Sequence, residues 1–519
     1  MAVTHRVAVI TALACLLVVT GAQTTTTSGR WPTQTFITEP GFHPPLAAIN
    51  HTDDSALAPG LIVFSQDGTY APENVALIMD RNGELVWQTD PTIGDIQDLS
   101  PFTLFGENVL ISWNGTSNNV NGDSFGTATI WNDSYEPIYN ITLSDPQFEH
   151  LYGQYDSLLN QHEVYITSWG TFLGLVYDPI PANLSAVGGP EDGWIRDGVV
   201  VEIDIKTNEL FFVWRASDFI PITDSYAPIE SARSGFGNSS DSGWDYVHLN
   251  SVAELNGNIV VSSRHTFQAI YIDRQTGGVK WIVQGEGKSN FTIDADAVYR
   301  WQHDIRIEQT AEGLMMHLHN NQNNYTPPYN VSSGQLMRID EEVGHVYAVQ
   351  TYTDPNDLVS ASSGGNYQPL VNGNVIICHA SQPVIKEYAQ DGALLWSFRF
   401  GPAGYATGPG IGSYRAFVSE WRGYPNTDPK AAACRLASGD LAVFMSWNGA
   451  TETIAWNIYS GEKSYGLNAA ATNVTKSGFE TSNTIPVAQY VQVEALGGSK
   501  DPGQTRRSAV LNVTDAALC

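Results

Sequence analysis

Short runs of alternating apolar and polar residues, broken by glycine-centred turns, fill most of the chain. "WDYVHLNS" (244–251) is one such run, and it reads as a strand. Side-chain direction in a strand alternates with period two, so His248 and Asn250 are expected on one face. A turn-like "NGN" (256–258) follows, and the next run ends in "SSRH", with Arg264 and His265. In a regular strand only one of these two neighbours can share a face with His248. No long stretch carries the 3.6-residue period of an amphipathic helix, so the pattern predicts an all-β protein.

Two signals recur. The first is a turn followed by a strand ending in Trp: "DRNGELVW" (80–87), "DIKTNELFFVW" (204–214), "DRQTGGVKW" (273–281) and "QDGALLW" (390–396), with "DEEVGHVYAV" (340–349) as a worn copy. The second is a turn followed by a strand with small or polar residues: "FGENVLISW" (105–113), "NGNIVVSSRH" (256–265), "AEGLMMHLH" (311–319), "NGNVIICH" (372–379) and "SGDLAVFMSW" (438–447). Turns of this kind between β-branched and aromatic runs mark antiparallel hairpins. Four-stranded units repeating every roughly 50–70 residues are blades of a β-propeller. The spacing predicts six blades, with seven as the alternative, over residues 23–490. A polar tail is expected over 491–519, which includes "GGSKDPGQTRR".

The N-terminus changes the compartment. Arg6 precedes an apolar run from Val7 to Val19, and small residues follow, so residues 1–22 read as a secretory signal peptide, too short for a membrane span. Sequons begin at Asn50, Asn114, Asn132, Asn140, Asn183, Asn238, Asn290, Asn324, Asn330, Asn473 and Asn512, as in a glycosylated secreted protein. Cys15 leaves with the leader, and among Cys378, Cys434 and Cys519 a Cys378–Cys434 disulfide is expected. The net charge of −29 argues against nucleic acid and anionic membranes as partners. An anionic substrate would have to meet a local cationic patch.

A propeller leaves an axial funnel whose lining strands carry the default site. His248, Arg264 or His265, His317, His319 and His379 fall on or beside the candidate lining strands, and His162 ("NQHE") and His303 ("WQHD") stand in settings of their own. Trp244, Tyr246 and Asn250 are added as substrate-binding candidates. A lone strand histidine is most often a hydrogen-bonded structural residue, but histidines on successive blades converge on one axis. His317 and His319 lie two apart, as metal ligands can, yet their segment lacks matching carboxylates, and no metal is expected. "GEGKS" (285–289) lacks the first glycine of a phosphate loop, and no G-x-S-x-G, H-E-x-x-H or dinucleotide fingerprint is present. The sequence therefore leaves a cofactor-free site built from histidine and arginine.

"WDYVHLNSV…NGNIVVSSRH", "QHDIRI", "PANLSAVGGPEDGW", "VEIDIKTNELFFVW", "SYRAF" and "SWNGATE" together resemble the fungal arylsulfotransferase-like proteins, across residues 60–460. The resemblance implies a six-bladed propeller. It also implies transfer of a sulfuryl group from an aryl sulfate to a phenol, through a histidine and without nucleotide. By motif the nucleophile falls on His303, an oxygen-binding histidine on His248, the arginine on Arg264 and the remaining histidine on His162. "LNQHE", His379 and "MMHLHNN" depart from the family pattern. Some propellers resembling this group are pericyclases, including hetero-Diels–Alder enzymes of tropolone sesquiterpenoid assembly. That reading and a non-catalytic ligand-binding propeller stay open beside sulfuryl transfer.

Overall fold

The computed structural model describes residues 31–118, 122–229, 231, 234–287, 289–323, 330–403, 410–501, 505–514 and 516–519. The leader at 1–22 and the sequon at Asn324 lie outside the described residues. Among the described residues, six sheets form the bulk of the fold, antiparallel except where Thr292–Ile293 runs parallel to His345–Tyr352. Sheets two to five follow the chain, with first strands Ile96–Leu104, Tyr165–Ile166, Leu249–Leu255 and His303–Thr310. The sixth runs Asn366–Pro369, Val375–Cys378, Val384–Tyr388, Leu394–Arg399, and takes Ala48–His51 as a fifth strand. The first sheet joins Leu61–Gln66, Val75–Met79 and Leu85–Gln88 to Ala416–Ser419, which arrives from the far end of the ring. Each sheet touches the next and the sixth touches the first, so the order closes on itself. This is an all-β propeller.

Both sequence signals have structural meaning here. The runs ending in Trp are the fourth strands of their sheets: Leu85–Gln88, Leu210–Arg215, Val279–Gln284 and Leu394–Arg399. The small and polar runs are second strands, next to the inter-sheet contacts: Glu107–Asn118, Asn258–Ser263, Gly313–Asn320 and Val375–Cys378. "SGDLAVFMSW" breaks the rule. Its strand Leu441–Ser446 pairs with Lys430–Arg435 and Glu480–Ile485 in a sheet outside the ring. A further sheet of Asn468–Thr475, Thr453–Gly461, Tyr490–Gly497 and Arg506–Arg507 packs on it through Leu441, Met445, Trp456, Ile458, Val491 and Val493, all buried. A hydrophobic turn–strand pattern specifies a half-buried strand but not the body it joins.

Two expectations are corrected in this C-terminal part. The described residues after 490 are not a tail: Val491, Val493 and Ala495 are buried within Tyr490–Gly497, and that strand pairs with Arg506–Arg507 and Leu511–Asn512. The disulfide is Cys434–Cys519, not Cys378–Cys434. The chain end returns beside Arg435, whose N–H donates to Ala517 O at 2.8 Å, which brings Cys519 to Cys434. Cys378 lies in the ring's sixth sheet as a buried thiol, pushed up to about 12 by burial.

Candidate active site

His248 does not stand on a strand. The strand begins at Leu249, and His248 has a left-handed backbone (φ 49°), a conformation costing an ordinary residue about 1–3 kcal/mol. That turn brings it back onto Asp245, three residues earlier. The Asp245 carboxylate accepts the His248 backbone N–H at 3.1 Å and its Nδ1–H at 2.6 Å. A β-bulge follows between Leu249 and Ser251. The second strand likewise ends at Ser263, so Arg264 and His265 occupy a turn rather than alternating strand positions. Their backbone N–H groups donate to His248 O (3.0 Å) and Val247 O (2.9 Å). Both side chains therefore reach the same place: Arg264 Nη1 donates to His265 Nε2 at 2.9 Å, and the rings of His265 and His248 stack at 4.9 Å.

His162 completes one wall. Its ring lies 4.8 Å from that of His248 and stacks on Tyr177 at 5.5 Å. Asn160 Oδ1 accepts from its Nδ1. Gly122 (φ 77°) covers both rings: a Cβ there would lie 2.8 Å from His162 Cε1 and 3.2 Å from His248 Cε1. Only glycine fits so close an approach. Tyr414 faces His162 at 5.5 Å on one side and His303 at 6.1 Å on the other.

His303 opens its strand between two left-handed residues, Trp301 and Asp304. Its approach is fixed by Asn250, whose Nδ2 donates to Gln302 O at 2.7 Å. Its Nδ1–H is held by Asn321 Oδ1 at 2.8 Å, and its Nε2 accepts the Gly364 N–H at 3.1 Å. Arg264 also donates to Ser362 O (3.0 Å) and lies 5.2 Å over the Trp301 ring.

Burial lowers the pKa of all four imidazoles. His265 falls to about 3 through burial, opposed by Asp245. His303 and His248 fall well below the ordinary range through burial, with Arg264 adding to it, and His162 through burial with His248 adding. The buried cluster at neutral pH thus holds neutral imidazoles beside the Arg264 guanidinium, and the His248–Asp245 contact is a hydrogen bond from a neutral ring. Asp245, His248 and His265 offer ligand atoms within 4.8 Å of one another, as a metal site could. The Asp245 oxygens and both His265 nitrogens are committed to hydrogen bonds, and the Arg264 charge at His265 opposes a cation.

The other candidates separate from this cluster. His319 and His379 pair with each other at 3.1 Å, and His317 stacks on Tyr367 at 4.7 Å, all in the seam between the fifth and sixth sheets. Trp244 and Tyr246 belong to the buried core between the third and fourth sheets, so a substrate-binding role for them is corrected. Asn250 is fully buried and serves as the tie to Gln302 described above.

Sequence reasoning missed the floor beneath the histidines. Arg415 donates to Asp98 (2.8 Å), Glu163 (2.7 Å) and the carbonyls of His162 and Asn250 (both 3.1 Å). Arg306 pairs with Glu163 (2.9 Å) and Asp304 (2.8 Å). Glu163 and Asp304 directly follow His162 and His303, so "HE" and "HD" were its visible trace. Burial pushes Asp98 up to about 7 against the pull of Arg415. Three carboxyls facing two guanidiniums favour one of them taking a proton.

The arylsulfotransferase (ASST) family model matches residues 100–401, more than half of the chain. The chain belongs to that family. None of the curated proteins compared matches it. Solved structures similar to it include a protein of unknown function from Bacteroides caccae (12% identity, 69% of this chain and 98% of that one, TM-score 0.37). The Cps50 (Swd1) β-propeller domain of Myceliophteria thermophila is similar at 10% identity (76% and 99%, TM-score 0.35). Virginiamycin B lyase from Staphylococcus aureus is similar at 11% (77% and 92%, TM-score 0.28). At these scores they carry no argument about chemistry.

Proposed function

We propose that this protein transfers a sulfuryl group from an aryl sulfate to a phenol through an imidazole, without nucleotide, in the funnel of a six-bladed propeller. One observation carries the reading: four neutral imidazoles, each oriented through Nδ1 by a protein acceptor, gather about the guanidinium of Arg264. A neutral imidazole is a nucleophile at neutral pH, and a fixed cation stabilises charge on the SO3 oxygens during transfer. His303 is the proposed nucleophile. Its Nε2 gives up the Gly364 N–H and attacks sulfur, the aryl C–O oxygen leaves with the electron pair, and an N-sulfo-imidazole forms. Arg264 holds the equatorial oxygens, and His162, His248 and His265 line the pocket.

We also place the protein in the secretory route. Of the sequon asparagines within the described residues, Asn114 and Asn132 are half-buried and the others are exposed, as glycosylation requires. Among the described residues no helix is long and apolar enough to cross a membrane.

The test is single-turnover mixing with p-nitrophenyl sulfate. The expected result is a nitrophenol burst and a sulfated peptide containing His303. A folded protein giving neither, with several aryl sulfates, would end this reading and favour cofactor-free pericyclic catalysis in the same pocket.

A further inference from the structure

We infer that His248, positioned by Asp245, is the general base that deprotonates the acceptor phenol. The inference rests on the sulfuryl-transfer reading and assigns its second half. It starts from the four Nε2 atoms. That of His265 is engaged by Arg264 and that of His303 by the Gly364 N–H. Those of His162 and His248 accept no hydrogen bond from the described residues. Their Nδ1 partners distinguish them: His162 is held by the neutral amide of Asn160, His248 by the carboxylate of Asp245.

That difference decides which ring can take a proton. An imidazole that gains a proton at Nε2 becomes a cation, and a carboxylate on its Nδ1–H stabilises that cation while fixing tautomer and orientation. Asp245 is suited to this because it clamps the backbone N–H of His248 as well as its ring. Both Asp245 and the ring are buried, and His248 faces Arg264, His162, His265 and Tyr177 on its other sides. Arg264 opposes protonation of any ring beside it, so the ring with a carboxylate partner is the one that can still serve. As the structure stands, His248 presents a lone pair, and a lone pair repels a sulfate oxygen but accepts a phenol proton.

The step balances. The acceptor O–H proton passes to His248 Nε2 as the phenol oxygen bonds to sulfur. The N–S bond to His303 breaks, its electron pair returns to His303 Nε2, and His248 releases the proton to solvent through its 11% exposed side chain.

The experiment compares the two half-reactions in Asp245→Asn. With p-nitrophenyl sulfate alone, the variant is expected to keep the burst and the His303 adduct. Steady-state transfer to phenols of pKa about 10 should fall by about 10²-fold, the usual contribution of a general base. Transfer to phenols already ionised at the assay pH should fall little, so rate depends more steeply on acceptor pKa than in the wild type. A merely structural role would not produce that dependence. His248→Gln, which leaves Asp245 in place, is expected to show the same steeper dependence on acceptor pKa, with each acceptor rate compared to its own ionised control whatever happens to the burst, and it carries the test if Asp245→Asn does not fold. Loss of the burst together with turnover, or equal loss for every acceptor, would overturn the inference. A wild type without a burst would overturn the sulfuryl reading itself, and this assignment with it.

Discussion

His303 is tied at both ring nitrogens: Asn321 accepts from Nδ1 at 2.8 Å and the Gly364 N–H donates to Nε2 at 3.1 Å. The ring is oriented before substrate arrives, and its attacking nitrogen is guarded by one backbone hydrogen bond. His303→Ala is therefore expected to abolish both the covalent adduct and turnover, measured by peptide mass and nitrophenol release. Substantial multiple-turnover transfer in that variant would remove His303 from the nucleophile role.

Arg264 is the cation among the neutral rings, with a fork shared between His265 Nε2 and Ser362 O. Arg264→Ala should lower kcat/KM for the donor by about 10²–10³-fold, as loss of one oxyanion contact does. Arg264→Lys should recover little, because a point charge cannot meet both partners. Full recovery by lysine would show that charge alone matters.

The buried imidazoles set the pH response. Their pKa values lie below the ordinary value near 6.5, with His265 at about 3, so their neutral forms persist to lower pH than in free histidine. Donor kcat/KM should stay level from about pH 8 to about pH 6 and fall only in more acid solution. An acid limb centred at the free-histidine value would contradict the neutral, desolvated cluster.

Asp98 works the other way. Its folded pKa is raised to about 7, so the fold binds a proton that the unfolded chain releases near 3.8. Its contribution to stability is complete in acid and is lost as pH rises through that interval. Asn cannot titrate. The melting temperature of Asp98→Asn relative to wild type should therefore climb between about pH 4 and pH 7 and then level off. A difference independent of pH would mean that Asp98 is ionised throughout.

The Cys434–Cys519 bridge closes a separation of 85 residues around the C-terminal sheets. Cys519→Ser should cost about 2–5 kcal/mol in those sheets, read by thermal unfolding. Reductant should lower the wild-type transition and leave the variant unchanged. Cys378, buried in the ring, should react with thiol reagents only after unfolding.

The sequence was legible wherever local alternation and global position agree. Trp87, Trp214, Trp281 and Trp396 all fall on fourth strands, because an outer strand needs a bulky side chain to seal against its neighbours. His162, His248, Arg264 and His265 lie in contact with one another, and His303 reaches them through Tyr414. Asp245 stayed invisible because period two places residues 245 and 248 on opposite faces, and only the left-handed backbone at His248 reunites them. Arg415 was noticed only within "SYRAF", since its partners Asp98, Glu163 and Asp304 come from three separate sheets or their connections. "SGDLAVFMSW" misled for a similar reason, being a sound strand in another body.

The ring is fastened in two places by chain segments remote in sequence: Ala416–Ser419 against Leu61–Gln66, and Ala48–His51 against Leu394–Arg399. A ribosome delivering this protein emits the receiving edge of the first sheet long before the strand that covers it. Until then Leu61–Gln66 presents unpaired backbone groups, an edge on which other chains can assemble. Contacts of such long range form slowly, because their closure entropy must be met before they stabilise anything. Chaperone dependence during synthesis, and aggregation of truncations ending before residue 416, follow from the way the circle is latched.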